Sequence, residues 1–121
     1  MTTSGGTVSV GRRVYINKFL MIDGLGDITI EDDARIGPAC KLITSTHEIT
    51  RNPQARASRE TAHVPIVIER GAWLCAGTVV LPGVTIREGC VIAAGAVVTK
   101  TTQPNGLYAG IPAVRKRDLP V

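Results

Sequence analysis

The apolar positions of this chain fall on a six-residue step. From Ile68 the step lands on Leu74, Val80, Ile86, Ile92 and Val98, and every stop is aliphatic. Four residues after each stop stand Ala72, Thr78, Val84, Cys90, Ala96 and Thr102, all small or β-branched. Neither a helical period nor simple strand alternation produces this pattern. The first half keeps it, with Ile30, Ile36 and Leu42 followed by Ala34, Cys40 and Thr46, and Val10, Ile16 and Ile22 followed by Val14, Leu20 and Gly26. Between Ile22 and Ile30 the step is eight, so two residues are inserted near 24–26. Ser4 with Val8 reads as a degenerate first unit.

Each unit is a short strand followed by a turn. The aliphatic at the first position points inward, and the small residue four later fills a corner where a larger side chain would not fit. Gly37, Gly71, Gly77, Gly83, Gly89 and Gly95 recur near the turns, where positive φ or tight packing favours glycine. One unit cannot bury its own face, so successive units stack and pair their backbones coil upon coil. The expected fold is an all-β parallel β-helix.

These stretches resemble the hexapeptide-repeat acyltransferases, whose units read [Leu/Ile/Val]-[Gly/Ala/Glu/Asp]-x-x-[Ser/Thr/Ala/Val]-x. The clearest are ITIEDDARIGPACKL (28–42) and PIVIERGAWLCAGTVVLPGVTIREGCVIAAGAVVTK (65–100), with LYAGIPAVRKR (107–117) closing the chain. The resemblance implies a left-handed, three-faced β-helix, a hand opposite to the usual crossover preference. It also implies acetyl-CoA as acyl donor, no metal, and a homotrimer with active sites between neighbouring subunits. Aliphatic surface left uncovered on so short a coil, expected at Trp73, Leu74 and Leu81, fits an oligomer.

After Thr46 the repeat stops, and it resumes near Ile66. The segment between, HEITRNPQARASRETAHVP (47–65), is polar and carries both histidines. A break of this length reads as an extruded loop, and such loops often carry function. His47 stands where coil becomes loop, anchored well enough to act as a catalytic group. His63 stands near the loop's return, where a structural or solvent role is the default.

In sugar-acetylating members of the family, a His after the small residue that ends a repeat is the general base, and Ser45-Thr46-His47 is similar in placement. The resemblance therefore implies that His47 takes the proton of a sugar hydroxyl as it attacks acetyl-CoA, by direct transfer without an acyl-enzyme. It places an oxyanion donor at the backbone of Ala76. On the acceptor side it implies Asn17 and Asp23, the latter about one position out of register; a turn-stabilising Asn and a solvated Asp are the alternatives. On the cofactor side it implies Ala76, Gly77 and Ala94, with Ala93 and Gly95 beside them, then Thr99, Lys100 and Arg117 toward the nucleotide end. Turn geometry is the alternative for the small residues, and surface charge for the cations.

Composition adds bounds. The 121 residues suit one domain, 1–121, with the loop about 47–65 extruded from it. Aromatic residues are only 3% of the chain, so the interior must be narrow and aliphatic. A net charge of +4 is too dispersed to argue for nucleic acid. Two local groups, Arg51, Arg56 and Arg59, then Arg115, Lys116 and Arg117, suit either a phosphate-bearing ligand or a solvated rim. Cys40, Cys75 and Cys90 contain no CxxC pair and are odd in number, against a disulfide framework or zinc site. Cys40 and Cys90 fall on the small interior position and read as packing. No apolar run spans a membrane and residues 1–10 hold no apolar signal core, so a cytoplasmic protein is expected.

The leading expectation is an acetyl-CoA-dependent O-acetyltransferase acting on a sugar or polysaccharide precursor. The chain starts almost at the first coil, without the helical leader of galactoside- and maltose-acetylating relatives, and so looks closer to the short acetyltransferases of exopolysaccharide or lipopolysaccharide synthesis. N-acetylation of an amino sugar, often on a nucleotide, is the alternative. Carbon dioxide hydration needs three His zinc ligands, against two His per chain. A purely structural β-helix would not bind CoA.

Overall fold

The computed structural model describes residues 6–121. The unit proposed at Ser4 lies outside the described residues.

Each turn of the chain lays down three short strands. The first coil is β1 (Val8–Val10), β2 (Tyr15–Ile16) and β3 (Met21–Asp23), and the second β4 (Ile28–Ile30), β5 (Arg35–Ile36) and β6 (Lys41–Ile43). The chain then leaves the coil through an antiparallel pair, β7 (Ser45–Thr46) and β8 (Ala62–His63). It returns as β9 (Ile66–Ile68), β10 (Trp73–Leu74) and β11 (Val79–Val80), then β12 (Thr85–Ile86), β13 (Val91–Ile92) and β14 (Val97–Val98). A hairpin of β15 (Gly106–Ala109) and β16 (Val114–Asp118) closes the far end.

Strands of equal place in successive coils pair in parallel. The first sheet is β1-β4-β9-β12, the third β14-β11-β6-β3, and the second β16-β15-β13-β10-β5-β2, which β16 joins antiparallel. The arrangement is consistent with the left-handed β-helix of hexapeptide repeats. The register carries the sequence step into space: Ile16, Ile36, Leu74, Ile92 and Tyr108 lie one above another in the second sheet. Tyr108 ends that stack at 9% exposure. Its hydroxyl accepts from Gln103 N–H at 2.8 Å and from the Arg115 guanidinium at 3.3 Å, so the aromatic closes the core without an orphaned polar group.

The small positions lie inside as well. Ala34, Cys40, Ala72, Thr78, Cys90, Ala96 and Thr102 are at most 1% exposed. Two expectations need correction. Thr46 does not fill the corner after Leu42; it is exposed, and the buried residue is Thr44. Thr44 Oγ1 donates to the Asp23 carbonyl at 2.7 Å and accepts from Gly26 N–H at 3.0 Å. The coil thus satisfies this hydroxyl, while Thr46 has already left to pair with Ala62. Leu74 is not uncovered surface either: it is fully buried, because its inward side chain is covered by Ile36 and Ile92 on either side, whereas its neighbour Trp73 faces out and is 49% exposed.

Candidate functional site

Three corners join the three sheets, and the chemistry gathers at two of them. The second corner, between second and third sheets, holds Asn17, Gly37, Pro38, Ala76, Gly77 and Ala94 on successive coils. Backbone bonds run along it, Gly77 N–H to Pro38 O and Gly95 N–H to Ala76 O, both 2.9 Å. A cleft of about 400 Å3 lies here, lined by Tyr15, Asn17, Arg35, Trp73, Cys75 and Ala76 among others. Asn17 turns its Oδ1 onto Lys18 N–H at 2.7 Å, which leaves its NH2 for a ligand. The Arg35 guanidinium lies over the Tyr15 ring, 5.1 Å from its centre, a cation–π contact on the cleft wall. Burial raises the Cys75 thiol above its ordinary value, so this sulfur stays protonated and is a poor nucleophile.

The third corner joins the third sheet to the first sheet of the next coil. Here the eight-residue step and the extruded loop meet. Ser45 Oγ donates to the Asp23 carboxylate, and Leu25 N–H donates to His63 Nδ1 at 2.9 Å. Gly24 is required between them: its φ is +88°, and a Cβ there would stand 2.5 Å from Thr44 Oγ1.

His47 lies two residues beyond Ser45, exposed. Its Nδ1 is 2.9 Å from the Glu60 carbonyl oxygen. A carbonyl only accepts, so Nδ1 carries the proton and Nε2 presents a free lone pair. His63 is fixed the other way. Leu25 N–H only donates, so His63 Nδ1 is bare and Nε2 carries the proton. The two imidazoles of this loop are held in opposite tautomers by backbone groups.

A second hollow, about 530 Å3, opens at the first corner beside Glu31, Asp32, Arg70 and Glu88. Its carboxylates already serve the coil: Asp32 accepts from Arg12 N–H at 2.8 Å, and Glu31 from Arg70 N–H at 3.0 Å. Arg70 is bound to Glu88 at 2.9 Å. This corner is a ladder of side chains holding successive turns together.

The bacterial transferase hexapeptide family (six repeats) matches residues 65–100. The galactoside O-acetyltransferase of Escherichia coli is 35% identical over 108 residues, which cover 89% of this chain and 52% of that enzyme. The chain belongs to the hexapeptide-repeat acetyltransferase family. A hexapeptide-repeat acetyltransferase of Vibrio cholerae, crystallised with acetyl coenzyme A, superposes with a TM-score of 0.87 at 34% identity, over 95% of this chain and 62% of that one. A maltose O-acetyltransferase of Clostridium difficile superposes with a TM-score of 0.85 at 28% identity, over 94% and 60%. This family member thus spans about half the length of the curated relatives it matches.

Within the family member, the residues singled out from sequence divide between the two corners. Asn17 and Ala76 share the cleft, and Gly77 and Ala94 continue its corner. Asp23, His47 and His63 gather at the third corner. Thr99 and Lys100 follow β14 and are exposed, and Arg117 lies on β16 opposite Leu107. The cation group at 115–117 is not one ligand set. Arg115 donates to the carbonyls of Gln103, Pro104 and Asn105 and pairs with Asp118. Its guanidinium is committed to closing the coil, while Lys116 and Arg117 remain exposed. Sequence reasoning missed Tyr15 and Arg35 as cleft walls. The signal was present, since both precede an inward aliphatic by one residue and so must face outward.

Among the described residues no helix is long and apolar enough to cross a membrane.

Proposed function

We propose that this chain transfers acetyl from acetyl-CoA to a hydroxyl of a sugar or polysaccharide precursor, with His47 as the general base. The observation that carries the reading is the commitment of His47 Nδ1 to the Glu60 carbonyl, which aims a bare Nε2 outward from a stiff frame. In the proposed step Nε2 takes the hydroxyl proton as the oxygen bonds to the thioester carbonyl carbon. The resulting oxyanion is held by the Ala76 N–H, whose exposed corner position favours it for that role. Collapse breaks the carbon–sulfur bond, and the imidazolium returns its proton to the leaving CoA thiolate. The relatives named for galactoside and maltose acetylation, and the one crystallised with acetyl coenzyme A, support donor and acceptor class.

His47 and Ala76 stand at different corners of the β-helix, at the end of the second coil and in the third, so in this reading one chain does not assemble the whole site. The proposal therefore includes a homotrimer, in which the third corner of one subunit faces the second corner of the next. Asn17 and Asp23 then hold the acceptor. Gly77 and Ala94 let the pantetheine arm approach, and Thr99, Lys100 and Arg117 meet the nucleotide end. No step in this scheme calls on a metal.

The test is thiol release from acetyl-CoA on addition of hydroxyl-only sugars, with amino sugars run in parallel. Release with the hydroxyl panel supports the proposal; release with amino sugars alone would replace it with N-acetylation. Bound CoA should also shield Cys75 from alkylation at alkaline pH, where its thiolate forms, read by mass spectrometry with and without CoA. Labelling unchanged by saturating CoA would count against the cleft as the donor site.

A further inference from the structure

The two breaks in the hexapeptide rhythm are bonded to each other. The eight-residue step puts Asp23, Gly24, Leu25 and Gly26 at the third corner, and the loop's two ends land on them. Thr44 and Ser45, where the loop departs, bond Asp23 and Gly26. His63, where it returns, accepts from Leu25 N–H. Ser45 and His63 are direct partners in the β7–β8 ladder, so their side chains share one face of that ribbon, and both are received by coil 1.

We infer that His63 is a positioning residue for His47, and that it performs this role only as a neutral imidazole. The inference rests on the reading of His47 as the base. The path is short and covalently continuous. His63 pins β8 to the coil, and three residues upstream of it Glu60 offers the carbonyl that fixes His47 Nδ1. Ser58 Oγ donates to that same carbonyl at 3.0 Å and accepts from Glu48 N–H at 3.1 Å, tying the segment to the residue after His47. A shift of β8 therefore moves the carbonyl that sets the tautomer and aim of the base.

Protonation breaks the pin for a simple reason. An imidazolium has two N–H donors and no acceptor, so His63⁺ would present a hydrogen to the hydrogen of Leu25 N–H. The charged groups that flank this contact along the chain are Asp23 and Asp27, on either side of Leu25, and Glu60 on the loop, with His47 bonded to the Glu60 carbonyl. Asp23 is bound to Ser45 and Asp27 to Thr7 N–H at 2.9 Å. Protonation of His63 thus removes a contact, and both carboxylates already have partners. His47 loses function on protonation because it is the base, and His63 because it lets the base go. Either proton alone then lowers turnover, so the acid limb carries two titrations and is steeper than that of a single base.

The deciding variant is His63→Gln, whose Oε1 can still accept from Leu25 N–H and cannot titrate, with His63→Ala as the broken pin. In the wild type, 15N spectra should show His63 protonated at Nε2 and His47 at Nδ1. In His63→Ala the His47 ring should lose its single tautomer, and turnover should fall roughly 10- to 100-fold, the scale of a small misplacement of a catalytic group. His63→Gln should restore turnover at neutral pH to within roughly threefold of wild type. Its acid limb should follow one proton where the wild type follows two. An unchanged His47 tautomer in His63→Ala would overturn the inference, as would a two-proton acid limb in His63→Gln. The spectra read the pin without turnover, so absence of acetyl transfer by the wild type would sink the proposed function and leave the pin separately tested.

Discussion

Coils 3 and 4 differ from coils 1 and 2 in how they turn and in how well they are covered. In the later coils every left-handed corner residue is a glycine: Gly71, Gly77, Gly83, Gly89 and Gly95. In the earlier coils the first and second corners are instead Arg13, Phe19, Asp33 and Ala39, with φ between 55° and 63°, while the third corner keeps Gly24. The later coils are covered on both sides, and Leu74, Val80, Ile86 and Ile92 are fully buried. In the first coil the same inward positions, Val10, Ile16 and Ile22, stay 40–49% exposed, because no further turn lies beyond it among the described residues. The later half is a regular frame. The earlier half accepts strain, insertion and exposure, and it carries His47, Asp23 and Asn17.

The contrast can be broken most forcefully at His47. His47→Ala should lower turnover by roughly 10²- to 10⁴-fold, the usual contribution of a positioned base, with an unchanged circular dichroism spectrum. Near-normal turnover would return the irregular half to a purely structural account.

Next comes the core. The same substitution at one repeat position should differ between coils. Ile92→Ala removes a fully buried side chain and should cost about 3 kcal/mol, whereas Ile16→Ala, on the open coil, should cost about 1 kcal/mol. Denaturant melts of the two variants check this. Equal costs would show that the first coil is covered in solution.

A smaller effect distinguishes the corners. Gly71 has φ +73° with nothing within 4 Å of an added Cβ. Gly71→Ala therefore isolates the backbone term and should destabilise by about 1 kcal/mol. Ala39→Gly, at φ 59°, should come close to neutral, since relief of strain offsets the greater freedom of the unfolded chain.

The smallest effect belongs to the exposed Arg13–Asp33 pair, 2.7 Å apart. Its hydrogen bond to Arg13 holds the Asp33 carboxyl below its ordinary value of 3.8. A lowered folded value means the pair stabilises above that range and is lost as the pH falls through the folded one. Arg13→Gln should lower the melting temperature slightly at neutral pH and low salt. The difference should vanish in strong acid and shrink in high salt.

Most of the coil was legible because a side chain's direction in a strand is set by its place in the repeat. Ile68, Leu74, Val80, Ile86, Ile92 and Val98 all point inward at the six-residue step, and Ala72, Thr78, Cys90 and Ala96 fill the corners as their size requires. Thr46 was misread because the count of four assumes that the chain stays on the coil, and a competing ladder with Ala62 takes it off. Leu74 was misread because exposure depends on neighbours in the coils on either side, Ile36 and Ile92, which no local window contains. Arg115 looked like its neighbours in a run of cations until the carbonyls around it were in place.

The sequence by itself determined the repeat, the inward and outward faces, and the positions of both interruptions, since each follows from short-range spacing and side-chain size. Only the tertiary structure decided that the interruptions bond each other, that two histidines sixteen residues apart hold opposite tautomers, and that Asn17 shares a cleft with Ala76. Those facts depend on which backbone donor or acceptor faces a ring or amide across coils. Stacking brings residues 20 and 38 apart into direct register, and a backbone group carries no mark of its partner in the letters of the chain.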